Sequence, residues 1–208
     1  MKVETYIQSL FTPDDKEYGH ITNKMIEIGM PTISVSPETG KLLTLLVKMS
    51  GAKKMLEIGA LGGYSGICLL RGNEEGSLTS LELEEIYAKV AKKHIEEAGF
   101  NGRVEMKTGP ALQSLKELEK ENTEFDFFFI DADKENYVHY LDLCIKLSKP
   151  GSIITADNTL WSGEVLNEAT TDKDTRALQA YNQKVAEDPR LESLLIPIGD
   201  GLTIARVK

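Results

Sequence analysis

The stretch that decides the fold is KKMLEIGALGGYSGICLL, at residues 53–70. Residues 55–58 predict a short buried strand, because they are almost entirely apolar. Gly62 and Gly63 then predict a tight turn, and residues 64–71 predict a helix. A strand that ends at a glycine turn and leads into a helix is typical of the mononucleotide-binding half of a doubly wound sheet.

The acid and the glycines of this turn are spaced as Glu57-x-Gly59-x-x-x-Gly63. This spacing lacks the G-x-G-x-x-G pattern that holds a dinucleotide diphosphate, so a nicotinamide-dependent oxidoreductase is not indicated. An acid near the end of the strand suits a cationic ligand instead, such as a sulfonium compound with an amino group. The alternative is an ordinary strand-to-helix turn in which the acid has no ligand.

Length and composition predict one domain spanning residues 1–208 with a sizeable core. Hydrophobic residues make up 41% and charged residues 27%, which is ordinary for a globular protein. No apolar run approaches the roughly 20 residues of a membrane span, and the start MKVETYIQSLF is too polar for a signal peptide. We therefore expect a cytoplasmic protein, in which Cys68 and Cys144 are buried, reduced thiols.

Residues 1–50 show no strand pattern and predict a helical extension ahead of the sheet. Asp14 or Asp15 can cap its second helix, Gly29 can end that helix, and Ser36 before Pro37 marks the start of the third. Three roles are open for this extension: covering the active site, forming a dimer surface or packing on the sheet. The predicted helices are 3–11, 16–29 and 37–49.

Strands and helices alternate from residue 53 onward, which predicts an α/β fold with a doubly wound, mostly parallel sheet of seven strands. The last two strands flank Gly199-Asp200-Gly201 and predict an antiparallel hairpin at the end of the chain. The predicted strands are 55–58, 77–81, 103–107, 125–130, 151–156, 194–198 and 202–207.

Four of the predicted strands end in an acidic residue. Ligands of open α/β sheets bind beyond the carboxyl ends of the strands, so several acids meeting there indicate a site. Packing alone does not explain them, because each acid would otherwise be a repelled, half-buried charge. The four acids are Glu57, Glu82, Asp131 and Asp157.

These acids predict two neighbouring sites. Glu82 follows the glycine turn by about 20 residues, the separation at which an acid binds ribose hydroxyls; its alternative is a solvated acid in LELEE. Asp131, Asp157 and Asn158 offer three oxygen ligands, which suits a hard cation such as Mg²⁺. Lys134 lies one helical turn after Asp131 and can act there as a general base. The alternative for Lys134 is a surface salt bridge with Glu135 or Asp133.

Charge and histidine pattern argue against two other kinds of ligand. The net charge of −9 and the dispersed arginines disfavour a nucleic-acid partner, although a local basic patch stays possible. The three histidines are scattered over predicted helices, where we expect them to be solvated, and no Cys/His cluster indicates zinc. They are His20, His94 and His139.

Six ordered motifs carry a family resemblance that extends from about Val35 to the end of the chain. They are LEIGALGGYSG (56–66), SLELEE (80–85), GPAL (109–112), FFFIDADKENY (127–137), ITADNTLWSGEV (154–165) and IGDGLTIAR (198–206). On these motifs the chain resembles the cation-dependent class I O-methyltransferases of the caffeoyl-CoA and catechol type, with a Rossmann-like fold. The DADK and DNTLWSG segments look closer to the caffeoyl-CoA and bacterial branch than to the animal catechol enzymes, which carry a His in place of Ala132.

The resemblance implies S-adenosylmethionine as the methyl donor, and a divalent cation, Mg²⁺ before Mn²⁺ or Ca²⁺, held by Asp131, Asp157 and Asn158. It implies that Lys134 is the base, that Asp131 shares in catalysis, and that Asn158 contacts the substrate with Lys134. Trp161, the only tryptophan, can stack on an aromatic acceptor; its alternative is a hydrophobic plug for its own loop. It also implies a homodimer. The residues that it assigns to the methyl donor are Val35, Glu57, Gly59, Ala60, Gly63, Ser65, Glu82, Ala111 and Asp131.

The expected acceptor is a small phenolic substrate with two vicinal hydroxyls, either catechol-like or of the caffeoyl type. One alternative keeps the chemistry and replaces the acceptor by a hydroxyuridine of transfer RNA, which would require a basic patch at the mouth of the site. Another is a nucleoside-binding protein without activity, which would lack the metal ligands or Lys134. Both sets of residues are present here.

Overall fold

The computed structural model describes residues 3–12 and 15–208, and its helices and strands alternate after a helical start. Two 3₁₀ turns, Lys134–Asn136 and Trp161–Leu166, follow the fourth and fifth strands. The helices are α1 Val3–Phe11, α2 Lys16–Glu27, α3 Pro37–Ser50, α4 Tyr64–Leu70, α5 Glu85–Glu97, α6 Ala111–Lys120, α7 Tyr137–Lys146 and α8 Lys173–Glu187. The strands are β1 Lys54–Ile58, β2 Ser77–Glu82, β3 Val104–Thr108, β4 Phe125–Ile130, β5 Ser148–Ala156, β6 Leu191–Ile196 and β7 Leu202–Val207.

The strands form one seven-stranded sheet in the order β3-β2-β1-β4-β5-β7-β6. Strands β1 to β5 pair in parallel, whereas β7 pairs antiparallel with both β5 and β6. The predicted α/β class, the doubly wound order and the antiparallel hairpin at the end of the chain are confirmed. The order reverses between β1 and β4, and such a switch point opens a crevice at the carboxyl ends of the strands.

Apolar side chains cover both faces of the sheet, as expected for parallel strands enclosed by helices. Neighbouring strand residues alternate between the faces: Leu56 and Phe128 pack on the α6–α8 side, and Met55, Phe127 and Phe129 pack on the other side. All five of these side chains are fully buried. The sheet is therefore a rigid platform, and the ends of its strands hold their side chains in fixed positions.

Of the three roles that the sequence leaves open for the helical extension, the structure shows packing on the sheet. Ile21 and Met25 of α2, with Leu43 and Val47 of α3, are buried in the same apolar layer as Met55. The segment between α2 and α3 reaches the crevice, because Pro31, Ile33, Ser34 and Val35 line the cavity described below.

The predicted helix starts and stops of the extension agree with the structure where it is described. The carboxylate of Asp15 accepts from the backbone N–H groups of Glu17 and Tyr18 at the start of α2. Ser36 caps α3 by accepting from the N–H of Thr39, and Gly29 after α2 has a positive φ of 72°. Asp14, the other predicted cap, lies outside the described residues.

The bounds of β5 and β6 differ from the prediction by two or three residues, whereas those of β1, β2 and β3 differ by one. Strand β5 begins at Ser148, ahead of Pro150, because an irregularity in its pairing with β4 lets the chain pass the proline. Strand β6 is Leu191–Ile196 rather than 194–198 because its bounds are set by its partner: Leu191 pairs with Val207 and Ile196 with Leu202. The apolar residues of β6 alone do not indicate which of its residues pair with β7, so they do not fix the bounds of the strand.

The thiols of Cys68 and Cys144 are free and buried, as predicted. The expectation that all three histidines are solvated is wrong for His94, which is only 5% exposed. Its Nδ1 pairs with the carbonyl oxygen of Gly62 at 2.9 Å, so α5 holds the glycine turn from behind. No helix in the described part of the chain combines the length and the apolar character needed to cross a membrane.

Candidate active site

A cavity of about 920 Å³ lies at the carboxyl ends of the strands. Most of the residues predicted to bind ligands line it, although they come from segments far apart in the sequence. Three of the predicted residues do not line this cavity: Glu57, Gly63 and Asp157. The predicted residues that do line it are Val35, Gly59, Ala60, Ser65, Glu82, Ala111, Asp131, Lys134, Asn158 and Trp161.

Glu57 lies beneath the cavity wall and is fully buried. The hydroxyls of Ser65 and Ser80 donate to its two carboxylate oxygens, each at 2.6 Å. Burial raises the pKa of Glu57 to about 7, and the two hydroxyls lower it in part. Glu57 therefore holds Ser65, which faces the cavity, and any direct contact between Glu57 and a ligand stays a prediction.

Glu82 lines the cavity and fixes the backbone of the glycine turn. Its Oε2 accepts from the backbone N–H groups of Ala60 at 3.1 Å and Leu61 at 2.8 Å, and its Oε1 accepts from the N–H of Glu84. The alternative of a solvated acid is excluded, because Glu82 is buried. These bonds leave the carboxylate with acceptor positions to spare, since each of its oxygens has two lone pairs.

Gly59 and Gly63 are required by packing as well as by backbone conformation. Gly59 has a φ of 98°, and a Cβ there would lie 2.0 Å from the carbonyl oxygen of Asp131. Gly63 has a φ of 86°, and a Cβ there would lie 2.8 Å from the carbonyl oxygen of Ala91 in α5. The turn therefore passes directly over the end of β4, which brings the Glu82 loop and Asp131 to the same cavity.

Lys134 is held on the cavity wall by three acceptors. Its Nζ donates to Asp131 Oδ1 at 3.1 Å, to Asn158 Oδ1 at 2.8 Å and to Tyr137 Oη at 2.6 Å. The residue is only 8% exposed. The alternative of a surface salt bridge is therefore wrong: the ion pair of Lys134 is with Asp131, inside the site.

Asp157 lies behind Asp131 and Asn158 and is 5% exposed. Its Oδ1 accepts from the backbone N–H of Asn158 at 2.8 Å. Burial raises the pKa of Asp157 to about 7, the negative charge of Asp131 adds to the rise, and the N–H of Asn158 opposes it. The carboxylates of Asp131 and Asp157 therefore lie close together, and the ammonium of Lys134 does not fully balance their two negative charges.

The donor set of Asp131, Asp157 and Asn158 fits a hard divalent cation. It consists of oxygen donors from the ends of β4 and β5, which pair in parallel, and the ammonium of Lys134 already bonds to two of these side chains. Within residues 3–12 and 15–208, no group of three or more His, Cys, Asp or Glu side chains is placed to hold a metal. The predicted set differs from such a group because an amide supplies its third oxygen.

Trp161 belongs to a loop with an unusual backbone. Trp161 and Ser162 have φ values of 49° and 53°, a backbone conformation that residues other than glycine rarely adopt. Asp200 fixes this loop: its carbonyl accepts from the N–H of Leu160 at 2.9 Å, and its Oδ1 accepts from the N–H of Ser162 at 2.6 Å. As a result the Trp161 ring lies with its centroid 5.7 Å from Lys134 Nζ.

Sequence reasoning missed two residues that position the site, Tyr137 and Asp200. The buried hydroxyl of Tyr137 accepts from Lys134 and donates to the carbonyl of Asp157 at 3.1 Å. Tyr137 lies in the motif 127–137 and Asp200 in the motif 198–206. Their place in these motifs is the signal that could have indicated them. Their roles depend on contacts between segments, and the sequence alone does not display such contacts.

Comparison with known proteins identifies the chain. Residues 14–208 match the sequence model of a family described as O-methyltransferase. A catechol O-methyltransferase of Niastella koreensis is 38% identical, over 99% of this chain and 96% of that protein. Caffeoyl-CoA O-methyltransferase 1 of Zea mays is 36% identical, over 84% of this chain and 71% of that protein.

The solved structures agree with the sequence comparison. The crystal structure of an O-methyltransferase from Bacillus cereus in complex with SAH superposes with a TM-score of 0.93 and is 38% identical in sequence. The match covers 99% of this chain and 97% of that one. Fold, motifs and relatives lead to one conclusion: the chain belongs to the O-methyltransferase family and is an enzyme that transfers methyl groups to oxygen.

Proposed function

We propose that this enzyme, an S-adenosylmethionine-dependent O-methyltransferase, methylates one hydroxyl of a small vicinal diphenol with the help of a divalent cation. The observation that carries the proposal is the position of Lys134. Its Nζ bonds to Asp131 and Asn158, two of the three predicted metal ligands, in the same cavity as the glycine turn that Glu82 holds.

The glycine turn supports a place for the methyl donor, which supplies a methyl group on a positively charged sulfur. Glu82 lines the cavity with spare acceptor positions, as ribose hydroxyls require. Ser65, fixed by Glu57, and Val35 supply further contacts at the turn, while Ala111 lines the wall near the start of α6. The small side chains Ala60 and Ala111 leave room for a nucleoside.

Asp131, Asp157 and Asn158 would hold the cation, with Mg²⁺ preferred because all three donors are oxygens. When bound, it supplies Lewis acidity that stabilises a phenolate. Lys134 would be the general base that takes the proton of the acceptor hydroxyl, because its Nζ lies beside Asp131 and Asn158. The hydroxyl of Tyr137 accepts from the same Nζ and keeps Lys134 in place for that step.

Trp161 supports an aromatic acceptor. It lines the cavity beside Lys134, where its ring can stack on a phenolic ring. Because Asp200 holds the backbone of this loop, the indole is already in position before any ligand arrives. Such alignment of the reacting groups lowers the barrier of a transfer that proceeds in line.

We further propose that the enzyme works as a homodimer in the cytoplasm. Helix α1 supports the dimer, because Tyr6, Ile7, Leu10 and Phe11 expose between 41% and 67% of their surface. The free, buried thiols of Cys68 and Cys144 suit a reducing compartment.

The test is an acceptor panel with labelled S-adenosylmethionine, run with and without EDTA. The panel contains catechols, phenolic CoA esters and undermodified transfer RNA. We expect methylation of a vicinal diphenol that EDTA abolishes and excess Mg²⁺ restores. In Asp131→Ala we expect complete loss, and in Lys134→Ala a loss of about a hundredfold or more, the usual contribution of a general base.

Glu121→Gln, which removes an exposed charge at the end of α6, serves as the control and should retain full activity. Full turnover in EDTA would refute the role of the cation. Methylation of transfer RNA alone would replace the proposed acceptor by the nucleic acid.

A further inference from the structure

The glycine turn has a backbone conformation that needs support from outside the turn. Leu61 and Gly63 have φ values of 46° and 86°, which both lie in the left-handed region. For a leucine this region is unfavourable, because the Cβ atom lies too close to the following carbonyl oxygen. Residues in such conformations persist only where the surrounding structure fixes them. The contacts that hold the turn therefore decide whether it keeps this shape.

Two hydrogen-bonding anchors fix the chain around Leu61. The first is Glu82, which accepts from the N–H groups of Ala60 and Leu61. The second is His94 in α5, whose Nδ1 lies 2.9 Å from the carbonyl oxygen of Gly62. A carbonyl oxygen only accepts, so Nδ1 carries the proton and donates it to this bond. The strained residue is thus fixed at its own N–H and at the next carbonyl.

Gly62 also packs tightly against α2. A Cβ on Gly62 would lie 2.4 Å from Sδ of Met25 and 3.0 Å from Cγ2 of Ile21, and both of these side chains are buried. Packing against α2 excludes a side chain at this point, whereas the hydrogen bond from His94 fixes the direction of the Gly62 carbonyl. Helices α2 and α5 therefore act on the same residue in different ways.

The peptide that His94 holds connects two parts of the cavity wall. Residues 60–61 come directly before Gly62, residues 64–65 follow soon after it, and all four line the cavity. Because peptide units are planar, the orientation of the Gly62 carbonyl directs the backbone toward both parts. His94 itself does not line the cavity, so any effect of His94 on a ligand acts through the turn.

We propose that His94 is a positioning residue for the methyl donor: its hydrogen bond keeps the glycine turn in the conformation that binds S-adenosylmethionine. This inference rests on the donor place proposed above, and not on the acceptor or the cation. Without the bond from His94 the turn can relax, and the donor must then restore its shape on binding. Affinity falls as a result, because part of the binding free energy is lost in ordering the site.

The experiment measures the binding of S-adenosylmethionine and of its product, S-adenosylhomocysteine, by isothermal titration calorimetry. These measurements need neither an acceptor nor a cation. His94→Leu keeps a side chain of similar size but cannot donate a hydrogen bond. We expect it to raise the Kd of both ligands about fivefold to tenfold, the usual effect of losing one buried hydrogen bond.

Two amide variants separate the hydrogen bond from packing. The amide nitrogen of asparagine is attached at the same position as Nδ1 of histidine, so His94→Asn should bind both ligands within about twofold of the wild type. The amide nitrogen of glutamine lies one bond farther out, so His94→Gln should lose affinity as His94→Leu does. His20→Leu is the matched control: it removes an exposed histidine, whose ring centroid lies 6.1 Å from that of His94, and should leave the Kd unchanged.

The contrary outcomes separate the inference from the proposal on which it rests. Wild-type affinity in His94→Leu, or an equal loss in His94→Asn and His94→Leu, would show that His94 only packs in the core. Thermal unfolding of the ligand-free variants shows which of them are folded, and His94→Gln decides in place of His94→Leu if the latter is not. Glu82→Gln tests the donor place separately, because wild-type affinity in that variant would overturn the placement of the donor at this turn.

Discussion

At the scale of single residues, Glu57 shows how a charge can serve a site without facing it. Both of its oxygens accept from serine hydroxyls, and one of these bonds fixes the side chain of Ser65 on the cavity wall. The arrangement has a price in stability, since burial raises the pKa of Glu57 to about 7, well above that of an exposed glutamate.

This raised pKa predicts a pH dependence of stability. Between about pH 4.5 and pH 7 the folded protein keeps the Glu57 proton that the unfolded chain releases, so stability falls as the pH rises through this window. The loss is at most about 1.4 kcal/mol per pH unit. Urea unfolding of the metal-free protein at several pH values should show this fall, and the fall should be smaller in Glu57→Gln by the contribution of Glu57.

Glu57→Gln is the sharper comparison because the amide keeps the size of the side chain and has no proton to release. Asp157, whose pKa is also raised to about 7, contributes to both proteins alike. Parallel pH profiles for the wild type and Glu57→Gln would contradict the assignment to Glu57.

At the scale of elements, the turn between β1 and α4 determines where the two halves of the site meet. Gly59 passes so close to the end of β4 that a side chain would strike the carbonyl of Asp131. The close approach places the Glu82 loop and Asp131, one of the predicted metal ligands, on one cavity. The absence of a side chain at Gly59 is therefore required both for packing and for the shape of the proposed site.

Two glycines with positive φ allow this constraint to be tested. Gly59→Ala combines the unfavourable conformation with a collision at 2.0 Å, whereas Gly29→Ala has the conformation alone, with open space around it. We expect Gly29→Ala to cost about 1–2 kcal/mol of unfolding free energy. Gly59→Ala should cost clearly more, or prevent folding. Equal thermal unfolding midpoints for the two variants would show that the turn can shift away from the carbonyl of Asp131 with no loss of stability.

The order of elements and the acids at the ends of β2 and β4, Glu82 and Asp131, could be predicted from the sequence because both follow from local pattern. Strand β4 is an unbroken apolar run ending at Asp131, and glycine marks the turn after β1. What was misread depends on distant partners. The ends of β6 are set by β7, the start of β5 by its irregular pairing with β4, and the burial of His94 by the carbonyl of Gly62.

At the scale of the whole molecule, helix α1 exposes the apolar side chains that support the proposed dimer. We expect light scattering to give twice the mass of one chain. Leu10→Lys should shift the protein toward the monomer, because it places a charge in a surface that would be buried. Leu194→Lys, on the edge strand β6, is the matched control and should leave the mass unchanged. A wild-type mass of one chain at every concentration would contradict the dimer.

The contact between Asp200 and the Trp161 loop has a consequence for redesigning this enzyme. The indole of Trp161 is anchored through the bend between β6 and β7 rather than through the central parallel strands. A substitution in that bend can therefore shift one wall of the cavity while the turn between β1 and α4 keeps its own hydrogen bonds.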